Sequence, residues 1–335
     1  MIRAISKILG LSLLFFATGL ISCGNSSGKS SIIEDESEEN VIQAPDFNAD
    51  SAYVYIEEQV QFGPRVPNSE AHKKCAAHLV SELERFGAKV TVQEADLVAY
   101  DGTILKSTNI VGSYNLDAKK RVMLCSHWDS RPYADQDDEK YHHTAIDGAN
   151  DGASGVGVLL EIARQLQLQM TEIGIDIIFF DSEDYGAPEF YDGRHKAEYW
   201  CLGSQYWGRI PHTSDYKARY GVLLDMVGGK DAKFFYEGYS SRTAYRPMKK
   251  IWKAAGKLGF SQLFIQMDGG EVTDDHVFVN KHRQFPCVDI IDYDPDSDTG
   301  FNEHWHTLGD NMSNIYKPTL KAVGQTLMQV IYNER

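Results

Sequence analysis

The sequence predicts an α/β protein whose single domain has a central mixed, mainly parallel twisted sheet with helices on both faces. From residue 69 to the C-terminus, apolar strand-like runs alternate with segments of helical periodicity, which is typical of parallel sheets covered by helices. No Pro-, Gly- or Ser-rich break divides residues 42–335, and their length suffices for one large core. We therefore predict one domain over residues 42–335.

Residues 1–22 are predicted to be a lipoprotein signal peptide. Arg3 and Lys7 precede an apolar run at 8–21, which is shorter than the ~20 residues that a bilayer-spanning helix needs. The run ends in Leu-Ile-Ser-Cys, which resembles a bacterial lipobox, so Cys23 is the predicted lipid anchor. The alternative is an ordinary signal peptide followed by an incidental cysteine.

Residues 23–41 are predicted to be the lipid anchor and an acidic, flexible tether. This stretch has five acidic residues between positions 34 and 39 and little that could be buried. The expected location is the cell envelope, lipid-anchored to the membrane and facing the periplasm or the cell surface. The formal net charge of −15 argues against nucleic acid as a partner.

The first half of the domain begins with a predicted helix at 69–86. Apolar residues recur there every three to four positions, and Gly87 ends the pattern. Predicted strands follow at 89–98, which alternates in part, at 109–112, which is short and apolar, and at 121–126. The sequence then predicts a helix at 153–170 and a buried strand of Ile and Phe at 174–180.

The second half continues the alternation, with strands predicted at 219–224 and 285–291 and helices at 242–258 and 318–332. His127, Glu183 and Asp225 all follow or end predicted strands. Ligands in open α/β sheets lie beyond the carboxyl ends of the strands, so these side chains are expected at one site. Periodicity alone thus indicates where the site lies.

The cysteines after Cys23 are spaced too widely for a compact zinc knuckle and are too few for a disulfide scaffold. An exported protein can form disulfides, while buried free thiols are the other interpretation. Both stay open for Cys75, Cys125, Cys201 and Cys287.

Six short motifs carry the side chains that bind metals, namely His, Asp and Glu. A catalytic zinc ion takes about four ligands from such groups and keeps one position open for water or substrate. The motifs are His127-Trp128-Asp129, Gly148-Ala149-Asn150-Asp151-Gly152, Ser182-Glu183-Asp184, Leu224-Asp225-Met226, Asp274-Asp275-His276 and Trp305-His306-Thr307.

The order of these motifs resembles the glutaminyl cyclases of the mammalian-like zinc type, in their bacterial lipoprotein form, on the fold of the M28 zinc aminopeptidases. Phe62-Gly63-Pro64-Arg65-Val66-Pro67 also resembles the opening signature of that family. The resemblance implies an enzyme that converts the N-terminal Gln of peptides and proteins to pyroglutamate and releases ammonia. It further implies one Zn²⁺ per chain.

By that resemblance the zinc ligands are Asp151, Asp184 and His306. Two carboxylates neutralise the charge of Zn²⁺ and leave a Lewis acid with an open position. Animal cyclases usually have Glu where this chain has Asp184, so the shorter side chain is expected to shift the metal or the backbone.

The resemblance also assigns the other site residues. Glu183 is the implied general acid and base, and Asp225 and Asp274 are implied to lie close together along the proton route, where one of two neighbouring acids is expected to be protonated. Trp305 and Phe301 are the implied walls of the substrate pocket, where aromatic rings would exclude water.

Two other functions remain open. A zinc aminopeptidase of the same fold would bridge two metals with Asp151 and hold the second ion with His127 and Asp225. A surface lipoprotein that binds peptides on a catalytically silent scaffold is the other alternative. An insertion at 187–199 is expected as a loop near the mouth of the site, and the sequence assigns it no role.

Overall fold

A central sheet of six strands organises the chain, and the computed structural model describes residues 41–335. The strands of this sheet are β1 (Lys89–Val98), β2 (Ile104–Tyr114), β3 (Arg121–His127), β4 (Gly174–Phe180), β5 (Gly221–Asp225) and β8 (Cys287–Ile291). Their spatial order is β1-β2-β4-β3-β5-β8. Strand β2 pairs antiparallel with both β1 and β4. The pairs β4–β3, β3–β5 and β5–β8 are parallel.

Eight α-helices and a small second sheet complete the described part of the chain. The small sheet pairs β6 (Phe234–Tyr236) with β7 (Phe264–Asp268) in parallel. The helices are α1 (Ala49–Val60), α2 (Glu70–Arg85), α3 (Ala153–Leu168), α4 (Leu202–Arg209), α5 (Gly238–Thr243), α6 (Tyr245–Lys257), α7 (Asp275–Arg283) and α8 (Lys317–Ile331).

The helices cover both faces of the central sheet, as strand β3 demonstrates. Because side chains alternate between the faces of a strand, Val122 and Leu124 join the larger core with α1, α2, α3, α6 and α8. Met123 and Cys125 point the other way, into a smaller core with α4 and α7. Burial on both faces explains why these strands are apolar at almost every position.

The predicted fold class is confirmed. The predicted bounds of β1 and β4 agree with the structure, and helices α2, α3 and α8 each lie within two residues of their predicted ends. Strand β2 is longer than predicted at both ends. The helix predicted at 242–258 corresponds to α6, but its predicted start is wrong by three residues, because the chain breaks at Ala244, whose φ of −132° is not helical, and the residues before it belong to α5.

The predicted signal peptide, the anchor Cys23 and nearly all of the acidic tether lie outside the described residues. Among residues 41–335, no helix is both long and apolar enough to cross a bilayer. The cysteines of this part are buried free thiols, which decides between the two interpretations for Cys75, Cys125, Cys201 and Cys287.

Candidate active site

The site lies where three parallel strands end. His127 is the last residue of β3, Asp225 is the last of β5, and Glu183 follows β4 by three positions. Because β3 lies between β4 and β5, the chain leaves these neighbouring strands in different directions and opens a crevice above them. Asp151 enters the same crevice just before α3 begins.

A cavity of about 510 Å³ occupies this crevice, and all eight residues that the sequence assigned to the metal, catalysis or substrate line it. These are Asp151, Glu183, Asp184, Asp225, Asp274, Phe301, Trp305 and His306. The structure thus brings together groups from five separate segments of the chain. Trp200, which the sequence analysis did not single out, forms another part of the wall.

Asp151, Asp184 and His306 form a group that fits a metal ion. One ligand atom from each lies within 4.8 Å of the others. His306 Nε2 is 3.3 Å from Asp184 Oδ1 and 3.7 Å from Asp151 Oδ2. Ligand atoms about 2 Å from a tetrahedral Zn²⁺ have such separations. Asp184 Oδ2 is buried without a hydrogen-bond partner, which a cation at this position would supply.

Both aspartates of this group are held by another aspartate through the backbone. The carboxylate of Asp310 accepts hydrogen bonds from the N–H of Asp151 at 3.1 Å and of the preceding residue at 2.7 Å. The carboxylate of Asp129 does the same for Asp184 and its predecessor, at 3.1 Å each. These hydrogen bonds therefore anchor the backbone of both candidate ligands without using any oxygen of the Asp151 or Asp184 carboxylates.

His306 is oriented by an acid and by two aromatic neighbours. Its Nδ1 lies 3.4 Å from Asp135 Oδ1, which leaves Nε2 for the metal group. Asp135 is itself paired with the buried Arg131 at 2.6 and 2.7 Å. The ring of Trp200 stacks on His306 with centroids 6.0 Å apart and planes at 9°, and Trp305 stacks at 3.7 Å.

A second group of possible ligands shares Asp151. His127 Nε2 lies 3.0 Å from Asp151 Oδ1 and 3.2 Å from Asp225 Oδ1. His127 Nδ1 is 3.5 Å from Asp129 Oδ1. His127, Asp151 and Asp225 are the three residues that the aminopeptidase alternative requires for a second metal.

The acids of the cavity raise one another's pKa. Burial, together with the charges of Asp184 and Asp274, holds the pKa of Glu183 well above its usual range. Burial and the charge of Asp151 raise the pKa of Asp225, and burial and Asp225 raise that of Asp274. Burial and mutual repulsion thus disfavour full ionisation of Glu183, Asp225 and Asp274 together, and this supports both a metal ion and a shared proton.

The aromatic side of the cavity contains the predicted pocket residues. Phe301 and Trp305 contact each other with ring centroids 4.6 Å apart, and both face the cavity. The insertion at 187–199 does not line the cavity. It packs by aromatic contacts such as Tyr191 on Tyr100, with centroids 5.0 Å apart, and it leads directly into Trp200.

Five residues that shape the site were not predicted from the sequence: Asp129, Asp135, Asp310, Trp200 and Cys201, whose thiol lies 3.1 Å from Glu183 Oε1. Asp129 stands within one of the motifs, beside His127, and that adjacency was an available signal. The others lie outside the motifs, and their roles depend on contacts between distant segments.

The fold and the site together are those of an α/β enzyme with a buried carboxylate beside a group of candidate metal ligands. The chain belongs to peptidase family M28, whose profile matches residues 109–331. This confirms the family fold that the motifs predicted.

Individual proteins that the chain resembles include glutaminyl cyclases from bacteria and animals. The chain is 59% identical to the Bacteroides thetaiotaomicron glutaminyl cyclase, solved bound to N-acetylhistamine, with a TM-score of 0.86 over 87% of this chain and 100% of that one. It is 57% identical, also at a TM-score of 0.86 and with the same coverage, to a Zn-dependent exopeptidase from Parabacteroides distasonis. It is 25% identical to the glutaminyl-peptide cyclotransferase of Bos taurus, over 78% of this chain and 76% of the relative. The predicted resemblance to glutaminyl cyclases is confirmed.

Proposed function

We propose that this protein is a zinc-dependent glutaminyl-peptide cyclotransferase, which converts the N-terminal Gln of peptides and proteins to pyroglutamate and releases ammonia. One observation supports this most directly. Glu183 opens into the same buried cavity as the metal group of Asp151, Asp184 and His306, and the rings of Trp200, Phe301 and Trp305 line that cavity as well. One Zn²⁺ per chain at that group is part of the proposal.

The reaction joins two ends of one residue, and its atoms balance without a further reactant. The α-amine attacks the γ-amide carbon, so a C–N bond forms and the amine loses a proton. The bond from the γ-carbon to the amide nitrogen then breaks, and that nitrogen leaves as ammonia after gaining a proton. Glu183 carries the proton from the first nitrogen to the second.

The remaining groups position the substrate and support its charge. Asp151, Asp184 and His306 would hold Zn²⁺, which would supply a Lewis acid that polarises the amide carbonyl and stabilises negative charge on its oxygen. The rings of Phe301 and Trp305 hold the bent glutaminyl side chain and exclude water, so that hydrolysis does not compete with cyclisation.

Asp225 and Asp274 supply a second set of acids next to the route of the proton. Their raised pKa values leave one proton shared within this part of the cluster near neutral pH. A shared proton keeps the cavity from accumulating full negative charge around the carboxylate of Glu183. It also leaves ionised oxygen atoms that attract the substrate's α-ammonium group before it is deprotonated.

The test uses a short peptide with an N-terminal Gln, incubated with the zinc-loaded protein and followed by mass spectrometry. Loss of one ammonia is the expected result. Glu183→Gln should lower kcat by at least about 100-fold with zinc content unchanged, because a general base contributes about that much. Glu198→Gln, an exposed carboxylate at the end of the insertion, is the matched control and should retain full activity.

The same measurement distinguishes the alternatives. Release of the intact first residue, with two zinc ions per chain, would make the protein an aminopeptidase that uses His127 and Asp225 for the second ion. An unchanged peptide, with no stoichiometric zinc, would favour the silent binding protein. Either result contradicts the proposal.

We further propose that the enzyme is lipid-anchored through Cys23 in the cell envelope and acts on exported peptides at the periplasmic side or the cell surface. The lipobox-like sequence and the acidic tether support this. Cys23→Ser should move the protein from the membrane fraction to the soluble fraction and abolish incorporation of labelled fatty acid. Membrane association that persists in the variant would refute the anchor.

A further inference from the structure

The carboxylate of Glu183 has a hydrogen-bond partner that the proposed mechanism does not use. The thiol of Cys201 lies 3.1 Å from Glu183 Oε1 and donates to it. Within the described part of the chain, this thiol is the one group that donates a hydrogen bond to the Glu183 side chain. Cys201 is fully buried. Glu183, Cys201 and Asp274 form a group in which one polar atom of each lies within 4.8 Å of the others.

The thiol is a neutral donor in this position. Burial is the largest cause that raises its pKa well above the usual range, and the charges of Glu183, Asp275 and Asp274 raise it further. A thiolate would be repelled by these carboxylates, whereas an S–H group can donate to one of them. When Glu183 is ionised, as its proposed role as the base requires, the hydrogen bond runs from sulfur to this carboxylate.

The backbone places sulfur and carboxylate side by side. Cys201 N donates to the carbonyl of Glu183 at 2.9 Å, and Leu202 N donates to the carbonyl of Ser182 at 3.0 Å. Ser182 and Cys201 both have left-handed backbone conformations, with φ of 56° and 57°. Such conformations are costly for residues with a side chain and persist where the surrounding structure fixes them.

Gly203, two residues after Cys201, shows how tightly this part of the chain packs against the segment that carries Glu183. A Cβ at Gly203 would overlap the carbonyl oxygen of Asp181 and the side chain of Asn109. Only glycine fits there, so α4 begins at a fixed distance from the segment that carries Glu183. These contacts fix the backbone of Cys201 relative to the backbone of Glu183.

We propose that Cys201 is a positioning residue for the cyclisation reaction. Its thiol holds Oε1 of Glu183, so that Oε2 is the oxygen that exchanges the proton with the substrate. The thiol also prevents the side chain of Glu183 from turning toward the neighbouring metal group. This inference rests on the proposed function of Glu183.

The experiment compares Cys201→Ala and Cys201→Ser in the full chain, both loaded with zinc. The alanine variant should lose about tenfold in kcat while KM stays within about twofold, since tenfold corresponds to about 1.4 kcal/mol. That value is at the low end for a hydrogen bond to a charged group, as suits a weak S–H donor. The serine variant should recover to within about threefold of the wild type, because its hydroxyl donates in the same direction.

Cys75→Ala is the matched control. Cys75 belongs to α2, and its buried thiol lies in the larger core. The variant loses the same sulfur atom away from the cavity and should keep the wild-type kcat. Zinc content and Tm of all variants are measured alongside the kinetics. They identify any loss of activity that comes from loss of metal or of folding.

Three results would overturn the inference: an alanine variant with wild-type kcat, a serine variant as impaired as alanine with zinc retained, or an effect confined to KM. Failure of the proposed function itself would appear in the wild-type protein. If the wild type releases the terminal residue instead, the same comparison of kcat decides the role of Cys201 in that reaction. An inert wild type overturns both proposals.

Discussion

Glu237 is a buried carboxylate whose hydrogen bonds hold one wall of the cavity in place. It accepts hydrogen bonds from the N–H groups of Tyr239 and Ser240 at 2.7 and 2.6 Å, at the start of α5. It also accepts from Val272 N at 3.1 Å, and it lies 3.0 Å from His276 Nε2. Val272 lines the cavity, so the ionised form of Glu237 connects α5 and α7 to the substrate pocket.

These hydrogen bonds make stability depend on pH. Although burial opposes ionisation, the bonds to His276 and to the backbone lower the pKa of Glu237 from 4.5 to about 2. The folded pKa is thus below the unfolded one, so the contribution is fully present above about pH 5 and is lost as the pH falls toward 2. At about 1.4 kcal/mol per pKa unit, the contribution is about 3.5 kcal/mol at pH 7. At pH 3 it falls to about 1.5 kcal/mol, because the unfolded state is then protonated.

The test compares the wild type with Glu237→Gln. Glutamine keeps some of the hydrogen bonds that a neutral side chain can make, so the difference in free energy of unfolding between the two proteins at one pH contains several effects. The change of that difference with pH reports the ionised form of Glu237 alone. We expect the difference between the two proteins to shrink by about 2 kcal/mol from pH 7 to pH 3. Urea unfolding in excess chelator measures it without interference from metal release.

The exposed Glu303 gives the control for this comparison. Its side chain is 88% exposed, and Glu303→Gln should change the free energy of unfolding by less than about 0.5 kcal/mol at either pH. A difference for Glu237→Gln that stays constant between pH 7 and pH 3 would refute the argument that this carboxylate is preferentially ionised in the folded state.

Further predictions concern the metal group and its surroundings. Asp135→Asn should weaken zinc binding by about tenfold or more, because Asp135 orients His306, and competition with a chelator measures this; an unchanged Kd would contradict that role. Gly203→Ala should lower the free energy of unfolding in urea by about 1–3 kcal/mol, since the new methyl group meets the backbone at Asp181, and equal stability would show that α4 can shift. Removal of zinc should lower Tm, because the acids around the metal group then lack a counter-charge; a chelator-independent Tm in calorimetry would contradict a bound cation.

Most of the fold could be predicted because the strands are buried on both faces. Strand β4 is a continuous run of apolar residues apart from Asp176, and such a run between turn residues has few other interpretations. The short strands β6 and β7 and the helix α7 were not predicted. Strand β7 has three exposed residues out of five, and α7 is rich in charged residues, so neither has a clear apolar period.

The site could be predicted only as far as its motifs extend. Asp151, Glu183 and His306 stand in local patterns that can be compared with a family, and the structure places them in one cavity. Cys201 stands 18 residues after Glu183, and no local pattern indicates that it will adopt a left-handed backbone and face that carboxylate. Trp200 depends in the same way on where the insertion leads the chain.

The arrangement of acids explains how a buried site can hold so many of them. Asp129 and Asp310 face backbone N–H groups, so part of their charge is compensated by the protein itself. Arg131 compensates Asp135. Of the acids that face the cavity, Glu183, Asp184, Asp225 and Asp274 have raised pKa values, with burial as the largest cause, whereas burial of Asp151 is outweighed by its hydrogen bond with His127 together with nearby positive charges, which lower its pKa. One oxygen of Asp184 is left without a hydrogen-bond partner. The backbone donors and Arg131 thus hold the acids behind the metal group, and the acids in front of it are the ones to which we assign the cation and the proton of the proposed reaction.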